Sequence, residues 1–569
     1  MKLKLDRSSG RKIKHLQNRE ITRWRCQRQG IGQLCSLAIA SLSFVSVFSG
    51  GITTPASAAE RLTLRLGPFE QSVGIEDLED FAKTGKLSAS LKPYAPLLTP
   101  QIQQLLTKRL QVDPGLADKF IENLLRSPEG EQLIKRIGLA IPNSTVEELQ
   151  AALALAMRQA NGLSAIGFLR AYPGENLTVD ASSAIAIALQ INTPYLQSQV
   201  LSTLLERELT VPNATFNSSL DPAAPGEAAV RQQTITLRDQ QRNRRIPVDI
   251  FWADTQENAD NPLVVFSHGF GADRGFFNYL ARHLASHGFT VVTLDHPGSN
   301  VSWLAGASIG SDPSSLIAGK EYIERPKDIS FLLDQLAELN QQPGQLQGKF
   351  NTAQVSVLGH SLGGYTALAV GGAEINLDEL RQFCKQRNPL SRAGGDWLQC
   401  AAATLPAERM QLRDPRVVQA IAFNPLIGNL FGKTGMRQVK IPTLILTSTG
   451  DALTPTSSHQ LRPFTQLGGT KYLITAIGAS HLSVSDPQNL NPQLAQSTLV
   501  PEIIGQKAEP VRQLVRGVTL AFLKQQTPEA KTYEPFLTAG YAQSLSTPGI
   551  ALHLNQQLPP SITALLELP

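Results

Sequence analysis

The stretch Val355-Ser-Val-Leu358-Gly359-His360-Ser361-Leu362-Gly363-Gly364 constrains this chain more than any other. Val355, Val357 and Leu358 form a short, largely β-branched apolar run that suits a buried strand. Gly-x-Ser-x-Gly follows, and Tyr365–Val370 then offers an apolar helix face. Strand, tight turn and helix together hold a serine in strained backbone with its hydroxyl exposed. Gly359 and Gly363 lack a Cβ, so strand and helix can close around that serine. The pentapeptide alone is weak evidence in a chain with 43 glycines, and its flanks carry the reading.

A chain of 569 residues, 42% hydrophobic and 17% charged, predicts globular structure in more than one domain. Its formal charge of +5 is concentrated at one end. Residues 1–28 carry a net +8 and residues 29–58 no charge at all, so the remainder is at −3. That balance gives no electrostatic case for nucleic-acid binding. The basic segment precedes an apolar one from about Ile31 to Phe48, and Ala56-Ser57-Ala58 supplies small residues for cleavage before Ala59. Residues 1–58 therefore read as an export signal. The alternative is an uncleaved anchor, although Gly32, Gln33 and several serines interrupt the span. Export predicts a periplasmic or extracellular location, or the thylakoid lumen if the source is cyanobacterial.

Cys26 and Cys35 leave with such a leader, and Cys384 and Cys400 remain. In an oxidising compartment this pair either forms one disulfide or stays as two thiols. Two cysteines without a nearby histidine pair do not make a zinc site, and no metal or organic cofactor is expected.

From about Leu62 to Leu209 the spacing predicts mostly helices. Asp113-Pro114 and Ser127-Pro128 are N-cap and first-turn signals. Ser144-Thr-Val-Glu147 reads as a capping box ahead of Leu149, Leu153, Leu155 and Met157. Asp180 reads as a cap for 181–189, and Ile102, Leu105, Leu106 and Leu110 recur at helical spacing. The half contains no histidine or cysteine, so it offers no obvious catalytic group. A linker rich in Pro, Ala, Asn and Ser covers 210–231. Strands are then predicted at 234–237, 246–251, 263–266, 290–294, 417–423, 443–447 and 471–474, besides the one before Ser361. Helices are predicted at 276–286, 327–339 and 511–523. Alternation of this kind argues for an α/β fold with a mostly parallel sheet covered on both faces. Residues 526–569 give no clear signal.

On Phe266-Ser-His-Gly-Phe-Gly271, Asp295-His-Pro-Gly-Ser-Asn300 and Gly359-His-Ser-Leu-Gly-Gly364, in that order, residues 232–525 resemble an α/β-hydrolase. Within that superfamily they are most similar to the platelet-activating-factor acetylhydrolase and bacterial "predicted dienelactone hydrolase" group. Residues 59–209 resemble DUF1400, a domain of unknown function seen ahead of such hydrolases in cyanobacteria.

The chemistry needs a base to take the serine proton and an acid to fix the base's tautomer. In this fold the chain order is Ser, acid, His. After Ser361 only His459, His481 and His553 remain. His481 follows the last strand predicted before the closing helix, where a base can reach back to the serine. Asp451 ends Thr443-Leu-Ile-Leu-Thr-Ser-Thr-Gly450 and is the expected acid. The animal acetylhydrolases place theirs after the preceding strand, but Ala420-Ile-Ala-Phe-Asn-Pro425 holds no carboxylate there. Dienelactone hydrolases use a cysteine nucleophile, so Ser361 argues against that substrate. Oxyanion donors are expected from the N–H of Leu362 and, by the family pattern, of Phe270. His268 is expected to brace its loop, and His296 and His360 to pack beside the site. Residues 374–416 exceed an ordinary connection, predicting a cap over the acyl pocket, braced by Cys384–Cys400 if they pair. Trp303 and Leu304 either line that pocket or belong to the core.

The expected activity is ester hydrolysis through an acyl-enzyme, on lipid or phospholipid esters by resemblance, with peripheral membrane contact as a further possibility. The alternatives are polyester, amide or thioester cleavage or acyl transfer on the same triad. A non-catalytic cell-envelope binding protein on a vestigial fold is another.

Overall fold

The computed structural model describes residues 59–567 apart from 67–68, 96–97, 99, 108, 110–127, 159–162, 175–176, 182, 185–192, 255–260, 307–315, 386–391 and 491–501. The leader, Asp113-Pro114, Leu110 and most of 181–189 thus lie outside the described residues. Among those described, no helix is long and apolar enough to cross a membrane.

The first half is mostly helical among the described residues and adds a small sheet that the helical spacing does not predict. Strands β1 (Arg61–Leu66), β2 (Phe69–Gly74) and β3 (Leu177–Asp180) form a small sheet in the order β2-β1-β3. Leu62 and Leu64 point inward while Arg61 and Arg65 do not. That is the period-two pattern of a half-buried strand. Helices Ile75–Thr84, Val146–Met157 and Ala165–Ala171 pack on it around Leu78, Phe81, Leu149 and Leu153. The capping box falls one residue later than expected. Thr145 Oγ1 accepts from Glu148 N at 3.2 Å while Glu148 Oε2 accepts from Thr145 N at 2.8 Å. Ser144 instead donates to Ile141 O. Leu155 faces solvent and leaves the buried stripe. Asp180 does accept from Ser183 N, at 2.7 Å.

The second half is built on nine strands. In chain order they begin with β4 (Val230–Asp239), β5 (Arg244–Ala253), β6 (Leu263–Ser267), β7 (Val291–Leu294) and β8 (Val355–His360). A separate ribbon pairs β9 (Glu374–Asn376) with β10 (Arg409–Gln411). The main sheet continues with β11 (Val417–Phe423), β12 (Thr443–Ser448), β13 (Lys471–Ile477) and β14 (Ala551–Asn555). The spatial order is β14-β13-β12-β11-β8-β6-β7-β5-β4. From β7 to β13 the neighbours are parallel, whereas β4–β5, β5–β7 and β13–β14 are antiparallel. Helices cover both faces, so β6 and β8 are buried along their whole length. On one side Phe251, Phe266 and Phe423 meet helices Asn278–Ser286 and Glu509–Lys524. On the other, Val265, Val292 and Val357 meet helix Glu321–Leu339. Pro326 lies inside that helix, where it cannot donate to Tyr322 O. Tyr365 Oη fills the vacancy by donating to that carbonyl.

Two segments are more integrated than their sequence suggests. Gly226 N and Ala228 N bond Ser286, and Phe216 packs against Phe536 and Tyr541. The Pro- and Ala-rich stretch is therefore laid onto the second half. The C-terminal region supplies β14 and helix Pro560–Glu567, whose Ile562 and Leu566 enter the core. Helix Thr193–Leu209 joins the same cluster through Leu201, Leu204, Leu205 and Leu209.

Candidate active site

Ser361 stands between β8 and helix Leu362–Val370 with φ 54° and ψ −116°. This is a costly conformation for a residue with a Cβ. The surroundings hold it there. Its N–H donates to Phe423 O at 2.9 Å, and its carbonyl accepts from Leu426 N at 2.9 Å and Tyr365 N at 3.1 Å. The flanking glycines are sterically required. A Cβ on Gly359 would lie 2.0 Å from Gly363 O, and one on Gly363 would lie 1.9 Å from Ser267 O.

Asp451 follows β12 and is fully buried. Its Oδ1 accepts from Leu453 N at 2.9 Å and Thr454 N at 2.7 Å. Its Oδ2 accepts from Thr454 Oγ1 at 2.7 Å and faces His481 Nδ1 at 2.7 Å. The proton between them sits on Nδ1, which leaves Nε2 as the basic nitrogen. Burial opposes the imidazolium, but the charge and hydrogen bond of Asp451 outweigh it, with help from Glu502, and hold the His481 pKa above its ordinary 6.5. His481 is in turn brought to the elbow by the residue before the serine. His360 Nε2 donates to His481 O at 2.9 Å, and the two rings lie 4.4 Å apart. Stacked on Phe276, His360 is kept neutral by burial and by the nearby His481 charge. His553 is on β14, and His459 pairs with Asp396 at 3.0 Å.

Phe270 and Leu362 are the expected oxyanion donors, and neither N–H has an acceptor among the described residues. Gly269 lets their loops meet, since a Cβ there would lie 3.3 Å from Ser361 Cβ. His296 N donates to His268 Nε2 at 2.9 Å, so the His268 proton is on Nδ1 and goes to Gly269 O at 2.6 Å. That carbonyl shares a peptide with the N–H of Phe270. The bond therefore both orients and polarises the donor.

Several residues here escaped the sequence. Asn424, the residue after β11, has φ 42°, and its Nδ2 donates to His481 O at 3.1 Å. Thr454 Oγ1 reaches Asn424 O as well as Asp451. Glu502 Oε2 accepts from Leu482 N at 2.8 Å and sits beside the base. From the first half, Gln199 Nε2 donates to Thr449 O at 2.6 Å, two residues before Asp451. None of these had a sequence signal beyond polarity.

Cys384 and Cys400 are joined, with Cα atoms 5.7 Å apart. The bridge closes the insertion between helices Leu377–Lys385 and Gly394–Cys400. Gly395 N donates to Leu453 O at 2.8 Å, so this insertion contacts the acid loop. In the chain-entropy treatment, a loop of this size contributes roughly 3 kcal/mol. Cys384→Ser with Cys400→Ser is expected to lower the denaturant midpoint accordingly, and an unchanged midpoint would show the bridge to be dispensable. Trp303 is 38% exposed, which removes the core reading for it; Leu304 is half-buried.

Comparison with known proteins fits this geometry. Residues 264–493 match the family model described as "Alpha/beta hydrolase family", a span that contains Ser361, Asp451 and His481. The chain has the α/β-hydrolase fold. Residues 58–180 of the hydrolase match "Alpha/beta hydrolase of unknown function (DUF1400)". Residues 196–308 match "Platelet-activating factor acetylhydrolase, isoform II". A protein named as a carbamate hydrolase, RutD, from Pantoea ananatis (strain LMG 20103) is 28% identical over 275 residues, 42% of this chain and 89% of its own. The platelet-activating factor acetylhydrolase of Cavia porcellus is 27% identical over 134 residues, 19% of this chain and 31% of its own. That of Canis lupus familiaris is 27% identical over 137 residues, with the same coverage. The hydrolase thus spans under a third of the length of these acetylhydrolases.

Proposed function

We infer that the hydrolase is an exported serine esterase that cleaves carboxylic esters of lipids or phospholipids. The observation that carries this is the Asp451–His481 pair at 2.7 Å, tied through His481 O to His360, the residue before the strained Ser361. His481 Nε2 takes the Ser361 proton as Oγ attacks the acyl carbon. The N–H groups of Phe270 and Leu362 receive the developing oxyanion. His481 then protonates the leaving alkoxide, and the same base activates water to release the acid. The match of 196–308 to an acetylhydrolase model supports a lipid ester with a short acyl chain. The carbamate hydrolase similarity supports a second reading, cleavage of a C–N acyl bond on the same triad. A panel of matched ester, phospholipid, amide and carbamate substrates tests both. Turnover confined to carbamates or amides would overturn the esterase reading.

The base must be neutral to act, so activity is lost as pH falls through the His481 pKa, which lies above 6.5. Glu502→Gln removes a charge that favours the imidazolium. The acid limb of kcat/KM is expected to move to lower pH in that variant, and a stationary limb would show that Glu502 does not act on His481.

A further inference from the structure

Ser267, His296 and Asp328 repeat the pattern of a serine relay below the active site. Ser267 Oγ lies 2.9 Å from His296 Nε2, and His296 Nδ1 lies 2.9 Å from Asp328 Oδ2. All three are fully buried, so a nucleophilic role is ruled out by access. Their proton order follows from their partners. Arg244 and Arg242 also donate to Asp328, so its carboxylate accepts from His296 Nδ1–H. His296 Nε2 then accepts the Ser267 hydroxyl proton, and the Ser267 lone pairs face outward.

They face Arg325. Its Nη2 donates to Ser267 Oγ at 3.2 Å and also to the carbonyl of His268. Its Nη1 donates to Ser299 Oγ at 2.7 Å, and its Nε to Thr366 Oγ1 at 3.2 Å. The carbonyl of Ser299 accepts from Gly271 N at 2.9 Å, which fixes the far end of the oxyanion loop. Thr366 belongs to the helix that begins after Ser361. A single guanidinium thereby joins the end of β6, the loop carrying Phe270, the segment that pins that loop, and the nucleophile helix. Arg325 is fully buried, and all four of these acceptors are neutral. Burial lowers its pKa to about 10, against the pull of Glu321 and Asp328. It remains a cation at neutral pH, and a buried cation whose direct hydrogen bonds all go to neutral acceptors carries a large desolvation cost that Glu321 and Asp328 offset only in part. Core packing would be served better by an apolar side chain of similar volume.

We propose that Arg325, ordered through Ser267 by the His296–Asp328 pair, is a positioning residue that sets the Phe270 N–H against the Leu362 N–H in the oxyanion hole. The inference rests on the serine-hydrolase reading above.

The test compares wild type with Arg325→Met, Arg325→Lys and Ser299→Ala, using a short p-nitrophenyl ester. Competent sites are counted by exhaustive fluorophosphonate labelling. Arg325→Met is expected to label to full stoichiometry, while kcat per labelled site falls on the order of 100-fold and KM stays within about threefold. Ser299→Ala, which removes one contact, should show the same split with a fall of about tenfold. Arg325→Lys, which keeps the charge but not the fork, should lie between them. If kcat falls only in proportion to the labelled fraction, Arg325 merely holds the fold and the proposal is overturned. Should Arg325→Met fail to fold, Ser299→Ala and Thr366→Val decide, and unchanged turnover per site in both overturns it. A wild type that neither labels nor turns over any ester would instead overturn the serine-hydrolase reading, and this inference with it.

Discussion

Ser361→Ala is expected to take ester turnover and fluorophosphonate labelling to background, a loss on the order of 10⁶ in kcat. The size follows from what the substitution leaves intact. Alanine keeps the Cβ, so the elbow should retain its φ of 54° and its bonds to Phe423, Leu426 and Tyr365. Thermal stability should therefore remain close to that of wild type, and the loss is chemical. His481→Ala is expected to cost about as much, because a serine hydroxyl without its base is barely nucleophilic. The double variant should be no worse than either single one, since the groups act as a unit. Rates and labelled fractions for the three proteins check this together. Persistent labelling in Ser361→Ala would place the nucleophile elsewhere, and stepwise additive losses would dissolve the unit.

What the sequence disclosed and what it hid divide along physical lines. The elbow was legible because its signal is local: an apolar strand, two glycines and a helix within sixteen residues of chain. Asp451 and His481 were placed by chain order and by the strands before them, and the structure brings those two side chains together at 2.7 Å. Arg325 was hidden by its neighbour. Pro326 made the helix appear to begin at Lys327, whereas it begins at Glu321. Seen whole, that helix carries Glu321, Arg325 and Asp328 on the face of Tyr322, Ile329 and Leu332, and all six are buried. A charged stripe on an apolar face is the available signal for a buried network, but only once the helix has its true length. In the sequence Asn424 marks only the absence of a carboxylate, because the acceptor of its amide, His481 O, is a backbone atom far along the chain. The antiparallel pairing of Arg61–Leu66 with β2 is equally local, whereas its parallel partner β3 lies beyond the intervening helices, where nothing nearby announces it. The edge strand Ala551–Asn555 is short and pairs on one side only, with β13.

Asp451→Asn is expected to lower kcat on the order of 10⁴ with little effect on folding, and the reason is a proton on the wrong nitrogen. Leu453 N and Thr454 N both donate to Oδ1 of Asp451. An asparagine at this position must leave its oxygen there, because turning the amide would set its NH₂ against two backbone donors. The amide nitrogen is then directed at His481 Nδ1, where Oδ2 had accepted. Facing a donor, His481 gives up the proton on Nδ1 and carries it on Nε2, the nitrogen that must receive the proton of Ser361. The base is present, correctly placed and in the inactive tautomer. Two measurements separate this from simple loss of charge. The ¹⁵N shifts of the imidazole should exchange their protonated and unprotonated nitrogens relative to wild type. Asp451→Ala, which offers no competing donor, should retain more activity than Asp451→Asn despite removing more of the side chain. Equal losses in both variants, with an unchanged tautomer, would mean that Asp451 acts through its charge alone and that the two backbone donors on Oδ1 have no part in fixing the base.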